Sequence, residues 1–251
     1  MFEGRHVVVT GAGRGIGRAI ALRLARDGAT LSLLGRNVEA LDATARELGG
    51  AFTHRADVRE RDAVDAAFAA AAEARGPIHA LVANSGIGGP NEAGEGDRFH
   101  DLVQTNLVGT YHCVRAAQRH FAAGGRCDIV VMSSILARIA VPGYTGYSAS
   151  KAGLLGLVRS FAAELAPDDV QVNAICPGWV ATEMADEGIG LLAEALDVSY
   201  DDAFQHAMRE VPLRRMSEPE DIAGTVAWLL SADARGVTGQ AIDHNGGAFM
   251  L

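Results

Sequence analysis

The chain has 251 residues, 49% hydrophobic and 21% charged, with 30 glycines, 7 prolines and 3 cysteines. This length suits a single α/β domain, and the apolar fraction excludes a disordered chain. A net charge of −9 weighs against nucleic acid as a partner, and Cys113, Cys127 and Cys176 lack the pairing or spacing of a disulfide frame or metal site. No stretch approaches the ~18 apolar residues of a membrane span, and the N-terminus lacks a signal-peptide core. A cytoplasmic protein working away from membranes is expected.

In chain order, apolar β-rich runs alternate with stretches of helical period. Strands are predicted at His6–Thr10, Thr30–Leu34, Ala51–Ala56, His79–Ala83, Asp128–Ser133, Val170–Ile175 and Gln240–Asp243. Helices are predicted near 15–27, 38–48, 60–74, 98–121, 147–166 and 219–231. Near-continuous apolar strands such as VVV and LVA fit a parallel sheet covered on both faces. The reading is therefore one doubly wound, Rossmann-type domain over 1–251: a seven-stranded parallel sheet with a ligand crevice at the strands' carboxyl ends. Residues 183–218 break the alternation with two short helical pieces, about 188–196 and 200–210, where a substrate lid is expected.

The first strand runs directly into TGAGRGIG, Thr10 to Gly17. Gly11 permits a tight turn, and Gly15, Ile16 and Gly17 open a helix whose N-terminus suits a pyrophosphate. The second strand ends in Gly35–Arg36 with no carboxylate for a ribose hydroxyl. Arg36, with Arg14 from the loop, would instead pair with a 2′-phosphate, so NADP(H) is favoured over NAD(H). Solvated arginines are the plainer alternative, since the chain has 21 of them.

It has one lysine. Lys151 falls four residues after Tyr147 in YSASK, on the same helical face. A nearby cation favours the phenolate and would lower the tyrosine pKa towards acid–base use. Ser133–Ser134 closes the fifth strand at the same edge, where a hydroxyl would polarise a carbonyl or merely cap a turn. Asn106 is a mediocre helix former inside a predicted helix, and either a structural or a functional role would explain it. Leu136, Tyr144, Trp179 and Met184, with Ile135, Val141, Leu192 and Phe204, are candidates for an apolar pocket wall.

Taken together, TGAGRGIG, Asp57–Val58, Ala83–Asn84–Ser85–Gly86, the set Asn106, Ser134, Tyr147 and Lys151, and Pro177–Gly178–Trp179–Val180–Ala181–Thr182 resemble the short-chain dehydrogenase/reductase family along essentially the whole chain. The resemblance implies hydride transfer between a nicotinamide and a carbonyl or secondary alcohol. Tyr147 would be the acid/base, Ser134 the polarising group, Lys151 the ribose-holding cation and Asn106 the holder of a relay water. It also implies cofactor contacts from Asp57, Val58, Asn84, Val180 and Thr182, and a homotetramer or homodimer. The lid resembles that of polyketide-type ketoreductases and 3-hydroxyacid dehydrogenases, which points to a hydrophobic ketone or 3-oxoacyl-type substrate. Reductases of carrier-bound acyl chains usually present basic residues where this chain has Gly124–Gly125 and Asp168–Asp169, so a free or coenzyme A-linked substrate is favoured. Arg14 stands where epimerase-type relatives need glycine. A non-catalytic NADP-binding sensor is the rival reading; it would keep the glycine turn without needing Tyr147 and Lys151.

Overall fold

The computed structural model describes residues 1–250. Among these described residues seven strands form one parallel sheet in the order 3-2-1-4-5-6-7. The elements run β1 (His6–Thr10), α1 (Gly15–Arg26), β2 (Thr30–Gly35), α2 (Val38–Glu47), β3 (Phe52–Arg55), α3 (Arg61–Arg75) and β4 (Ala80–Ala83). Then come α4 (Phe99–Val103), a π turn (Gln104–Val108), α5 (Gly109–Gln118), β5 (Cys127–Met132), α6 (Thr145–Leu165) and β6 (Val170–Pro177). The chain finishes with α7 (Glu183–Leu196), α8 (Tyr200–Arg209), α9 (Pro219–Leu230) and β7 (Ala241–His244).

The period-two geometry of strands divides the core into two layers. Val7 and Val9 of β1 pack with Leu31, Leu33, Val82, Val130 and Ile175 beneath α1 and α9, where Ile20, Leu24, Ile222 and Val226 are buried. Val8 faces the other way, joining Leu81, Ile129, Val131 and Val172 under α3, α5 and α6 with Phe68, Val114 and Phe161. Each fully buried Leu, Ile or Phe contributes about 1.5–3 kcal/mol. At the other end of the strands, Asp128 is held by Arg5 (2.6 Å) and Arg126 (2.7 Å), which also donate to Leu230 O and Leu229 O at the end of α9. No helix among the described residues is long and apolar enough to cross a membrane.

Beyond shifts of a residue or two at strand ends, three differences from expectation bear on the site. The single helix foreseen over 98–121 is α4 and α5 joined by the π turn, with Asn106 at its centre. Thr110 Oγ1 donates to Asn106 O (2.7 Å) within that wider turn. The helix carrying Tyr147 starts two residues earlier, at Thr145. The first lid helix starts at Glu183, because Thr182 caps it by accepting from Ala185 N–H, with Glu183 and Asp186 in its first turn.

Candidate active site

Strand order reverses between β1 and β4, so the turns after these strands diverge and leave a crevice. Four hydrogen bonds join the two turns. Thr10 Oγ1 accepts from the N–H groups of Asn84 and Ser85 (3.0 Å each), and Asn84 Nδ2 donates to Thr10 O (3.1 Å) and Gly11 O (3.3 Å). Gly11 and Gly15 adopt the left-handed region, with φ of +68° and +51°. Gly17 has a different reason from the one foreseen: a Cβ there would lie 2.3 Å from Gly11 O and 2.5 Å from Asn84 Nδ2. Its lack of a side chain serves the turn's own packing, and the Asn84 amide is spent holding that turn. Ile16, in the first turn of α1, is half-buried against the core.

No side chain caps α1, although Asn37, Thr182 and Ser199 cap α2, α7 and α8. The first turn of α1 carries no acidic residue, so its N–H groups are available to an anion. The Arg14 guanidinium pairs with Glu183 at the start of α7. Arg36, just past β2, is exposed and has no carboxylate partner among the described residues. Asp57 accepts from Arg59 Nη2 (2.7 Å), and these hydrogen bonds hold its carboxyl below the usual carboxylate range, with Arg36 adding to the effect. Val58 is buried against α5, where a Cβ on Gly109 would meet Val58 Cγ2 at 2.6 Å.

Across the crevice, Ser134, Tyr147 and Lys151 converge. Lys151 Nζ lies 5.6 Å from the Tyr147 ring centroid and donates to Met132 O (2.8 Å). Ser133 Oγ donates to Lys151 O (2.9 Å), tying α6 to the end of β5. Burial pulls the Lys151 ammonium down to about 8. Burial also pushes the Tyr147 phenol up, with the Ser134 hydroxyl beside it acting in the opposite sense. The expected depression of the tyrosine pKa is therefore absent within the chain's own charges. Desolvation wins, while the ammonium spends its hydrogen bond on the Met132 carbonyl.

The Asn106 side chain is committed to protein. Its Oδ1 accepts from Ile87 N–H (2.9 Å), and its Nδ2 donates to Ile87 O (3.0 Å) and Ser150 Oγ (3.0 Å). It clasps the loop after β4 instead of reaching towards Lys151. Gly86 fills the gap, since a Cβ there would lie 3.1 Å from Asn106 Oδ1 and 3.5 Å from Lys151 Nζ.

The wall candidates divide. Tyr144 stands edge-on to Tyr147, centroids 6.4 Å apart, and Leu136 is half-buried on the turn after Ser134. Met184 is 48% exposed and lies across the crevice, where a Cβ on Gly88 would meet its sulfur at 2.9 Å. Trp179, Leu192 and Phe204 are half-buried and pack against Ala185, Ile189, Ala203 and Met208, the small core of α7 and α8. Trp179 thus cements that helical pair to the sheet, and Gly188 lets it approach. Val180 is buried in the main core, and the Thr182 hydroxyl is occupied as a cap and as a donor to Val180 O (3.1 Å). Sequence reasoning missed the roles of Ser150 and the Met132 carbonyl, whose partners are distant in sequence; Gly86 was marked as part of a motif, but not for its approach to Asn106 and Lys151.

A family model described as enoyl-(acyl carrier protein) reductase matches residues 11–248. The chain is 34% identical to the 3-oxoacyl-[acyl-carrier-protein] reductase FabG of Staphylococcus aureus, over 98% of both proteins. It superposes on an actinorhodin polyketide ketoreductase solved with NADPH at a TM-score of 0.91, with 33% identity and 97% of each chain covered. Levodione reductase gives a TM-score of 0.89 at 30% identity, covering 98% of each chain.

Proposed function

Because the chain belongs to the short-chain dehydrogenase/reductase family of oxidoreductases, we propose that it reduces the carbonyl of a hydrophobic ketone or 3-oxoacyl-type compound, or oxidises the matching alcohol, with NADP(H) favoured over NAD(H). The observation that carries this reading is the convergence of Ser134, Tyr147 and Lys151 opposite the uncapped N-terminus of α1. The residues fit a dinucleotide. Gly11 and Gly15 shape the turn, the free N–H groups of α1 suit a pyrophosphate, and Asp57 and Val58 border the adenine side. Arg36, exposed and without a carboxylate partner among the described residues, supports a 2′-phosphate there, joined by Arg14 when it leaves Glu183.

A nicotinamide held there would supply the hydride. Tyr147 then gives its phenolic proton to the carbonyl oxygen, towards which the Ser134 hydroxyl donates a hydrogen bond. Lys151 would hold a ribose hydroxyl, and its ammonium would favour the phenolate and oppose the upward shift of the tyrosine pKa; in the alcohol-oxidising direction the cationic ring of the oxidised cofactor would add to that effect. Asn106 acts by position, fixing the loop over Lys151 through Ile87. Leu136, Tyr144 and Met184 line the substrate side, with α7 and α8 as its lid.

The names of the relatives raise acyl-carrier-bound substrates. Here Asp168 and Asp169 are exposed, and Arg126 is spent on Asp128 and Leu229 O, so that edge offers an acidic carrier little attraction. This supports a free or coenzyme A-linked substrate. Self-association through the outer faces of α5 and α6, where Tyr111, Ala149 and Ala152 are exposed, is part of the reading.

The test is loss of nicotinamide absorbance with NADPH and with NADH against hydrophobic ketones, 3-oxoacyl-coenzyme A esters and carrier-bound esters. Turnover of ketones or coenzyme A esters, faster with NADPH, is expected. Binding of NADPH without turnover of any carbonyl would overturn the reading.

A further inference from the structure

The turn that carries Ser134 is closed locally but weakly held at its far end. Ser134 Oγ accepts from Leu136 N–H (3.2 Å), Ala137 N–H donates to Ser134 O (3.0 Å), and Arg138 N–H donates to Ile135 O (2.8 Å). Beyond Arg138 the chain runs through exposed residues, including Ile139, Ala140, Pro142 and Gly143, before α6 begins. Within this short turn, buried Ile135 and partly buried Ala137 pack on the core, but their contacts are apolar and do not fix its orientation as a hydrogen bond to the sheet would.

Arg138 supplies that restraint. Its Nε donates to Asp243 Oδ1 (3.3 Å) and its Nη2 to Ala241 O (3.3 Å), so one guanidinium grips both a side chain and the backbone of β7. The two side chains are only 18% and 20% exposed. Asp243 pairs in register with buried Cys176 of β6, and the Cys176 thiol lies beside Ser133 and Ser134. The planar fork of arginine is what allows two acceptors to be held at a fixed angle; a lysine ammonium on a flexible stem cannot reproduce it.

We propose that the Arg138–Asp243 pair is a positioning device for the reaction, acting through Ser134: it locks the Ser134–Arg138 turn to β7 so that the serine hydroxyl and the Leu136 wall meet the carbonyl at Tyr147. The catalytic part rests on the reading of Tyr147 and Ser134 given above; the locking of the turn does not. A misplacement of about 1 Å at a reacting group costs on the order of 100-fold in rate, so a loosened turn is visible in kcat.

Two measurements test it. In hydrogen exchange on the protein alone, Arg138→Lys and Asp243→Asn are expected to speed exchange of the Leu136, Ala137 and Arg138 amides about 10-fold or more, with the glycine turn unchanged. In kinetics, each is expected to lower kcat about 10-fold or more while leaving KM for NADPH unchanged, and to have little further effect once Ser134→Ala is present. Equal losses in the Ser134 and Ser134→Ala backgrounds would overturn the proposal, as would unchanged exchange in the turn. A wild-type protein that reduces no carbonyl would overturn the functional reading instead, while the exchange result still decides the clamp. Should Asp243→Asn fail to fold, Arg138→Lys, which keeps the charge, carries both measurements.

Discussion

Gly17→Ala is expected to damage the protein before any ligand is added. A Cβ at that position would sit 2.3 Å from Gly11 O, 2.9 Å from Gly11 C and 2.5 Å from Asn84 Nδ2. None of these atoms is the loose end of a side chain, because Asn84 Nδ2 is anchored to Thr10 O at 3.1 Å. The turn must open, which costs about 1–3 kcal/mol as overpacking, and a seam hydrogen bond worth about 1 kcal/mol is lost with it. The sum of about 2–4 kcal/mol corresponds to a fall in Tm of roughly 5–15 °C for a chain of this size. Gly15→Ala makes the control. Its Cβ would meet only Thr182 Cγ2 at 3.4 Å, so the cost is mainly that of a left-handed alanine, about 1–2 kcal/mol. Thermal melts of both variants without nucleotide should therefore rank wild type above Gly15→Ala and Gly15→Ala above Gly17→Ala. If Gly17→Ala melted with the wild type and lost only NADPH binding, glycine would be there for the ligand, and the packing argument would be wrong.

Arg36→Ala should weaken NADPH about 10-fold while leaving NADH nearly unchanged, as fluorescence titration would read, because one charge-assisted contact to a phosphate is lost. Asp128→Ala strands two partly buried guanidiniums and frees the end of α9; about 2–4 kcal/mol of stability should go, measured by urea unfolding. In pH profiles, the protonated amine is the form that holds ribose and supports the phenolate. Burial has moved Lys151 to about 8, so kcat/KM for reduction should fall as pH rises through about 8, far below the ordinary lysine value. A profile flat to pH 10 would remove Lys151 from that role.

Much of the fold was legible because its signals are local. The VVV run of β1 and the apolar βα alternation predicted a seven-stranded parallel sheet, and the glycine turn lay between β1 and α1 as expected. The π turn was not legible, since one extra residue inside a 3.6-residue period leaves the apolar stripe almost intact; Asn106 was the visible irregularity. The early start of α7 was written in Thr182 followed by Glu183 and Asp186, a capping signal that the expected bounds of about 188–196 left unused. At the site, spacing placed Tyr147 and Lys151 on one helical face, but burial set both pKa shifts, and burial depends on β5 and the loop after β4. Trp179 shows the same limit: an apolar residue near a strand end reads as pocket wall, and only the packing of α7 and α8 shows that its ring also rests on the lid's own core.

The most direct test of the account is Tyr147→Phe beside wild type, with NADPH binding and carbonyl turnover measured on the same preparations. Removing one phenolic oxygen leaves the ring's packing in place, so NADPH affinity should stay within about twofold, while kcat should drop by roughly 10²–10⁴. Turnover within tenfold of wild type would mean that the proton comes from elsewhere, and the assignment of Tyr147 as the acid would be contradicted.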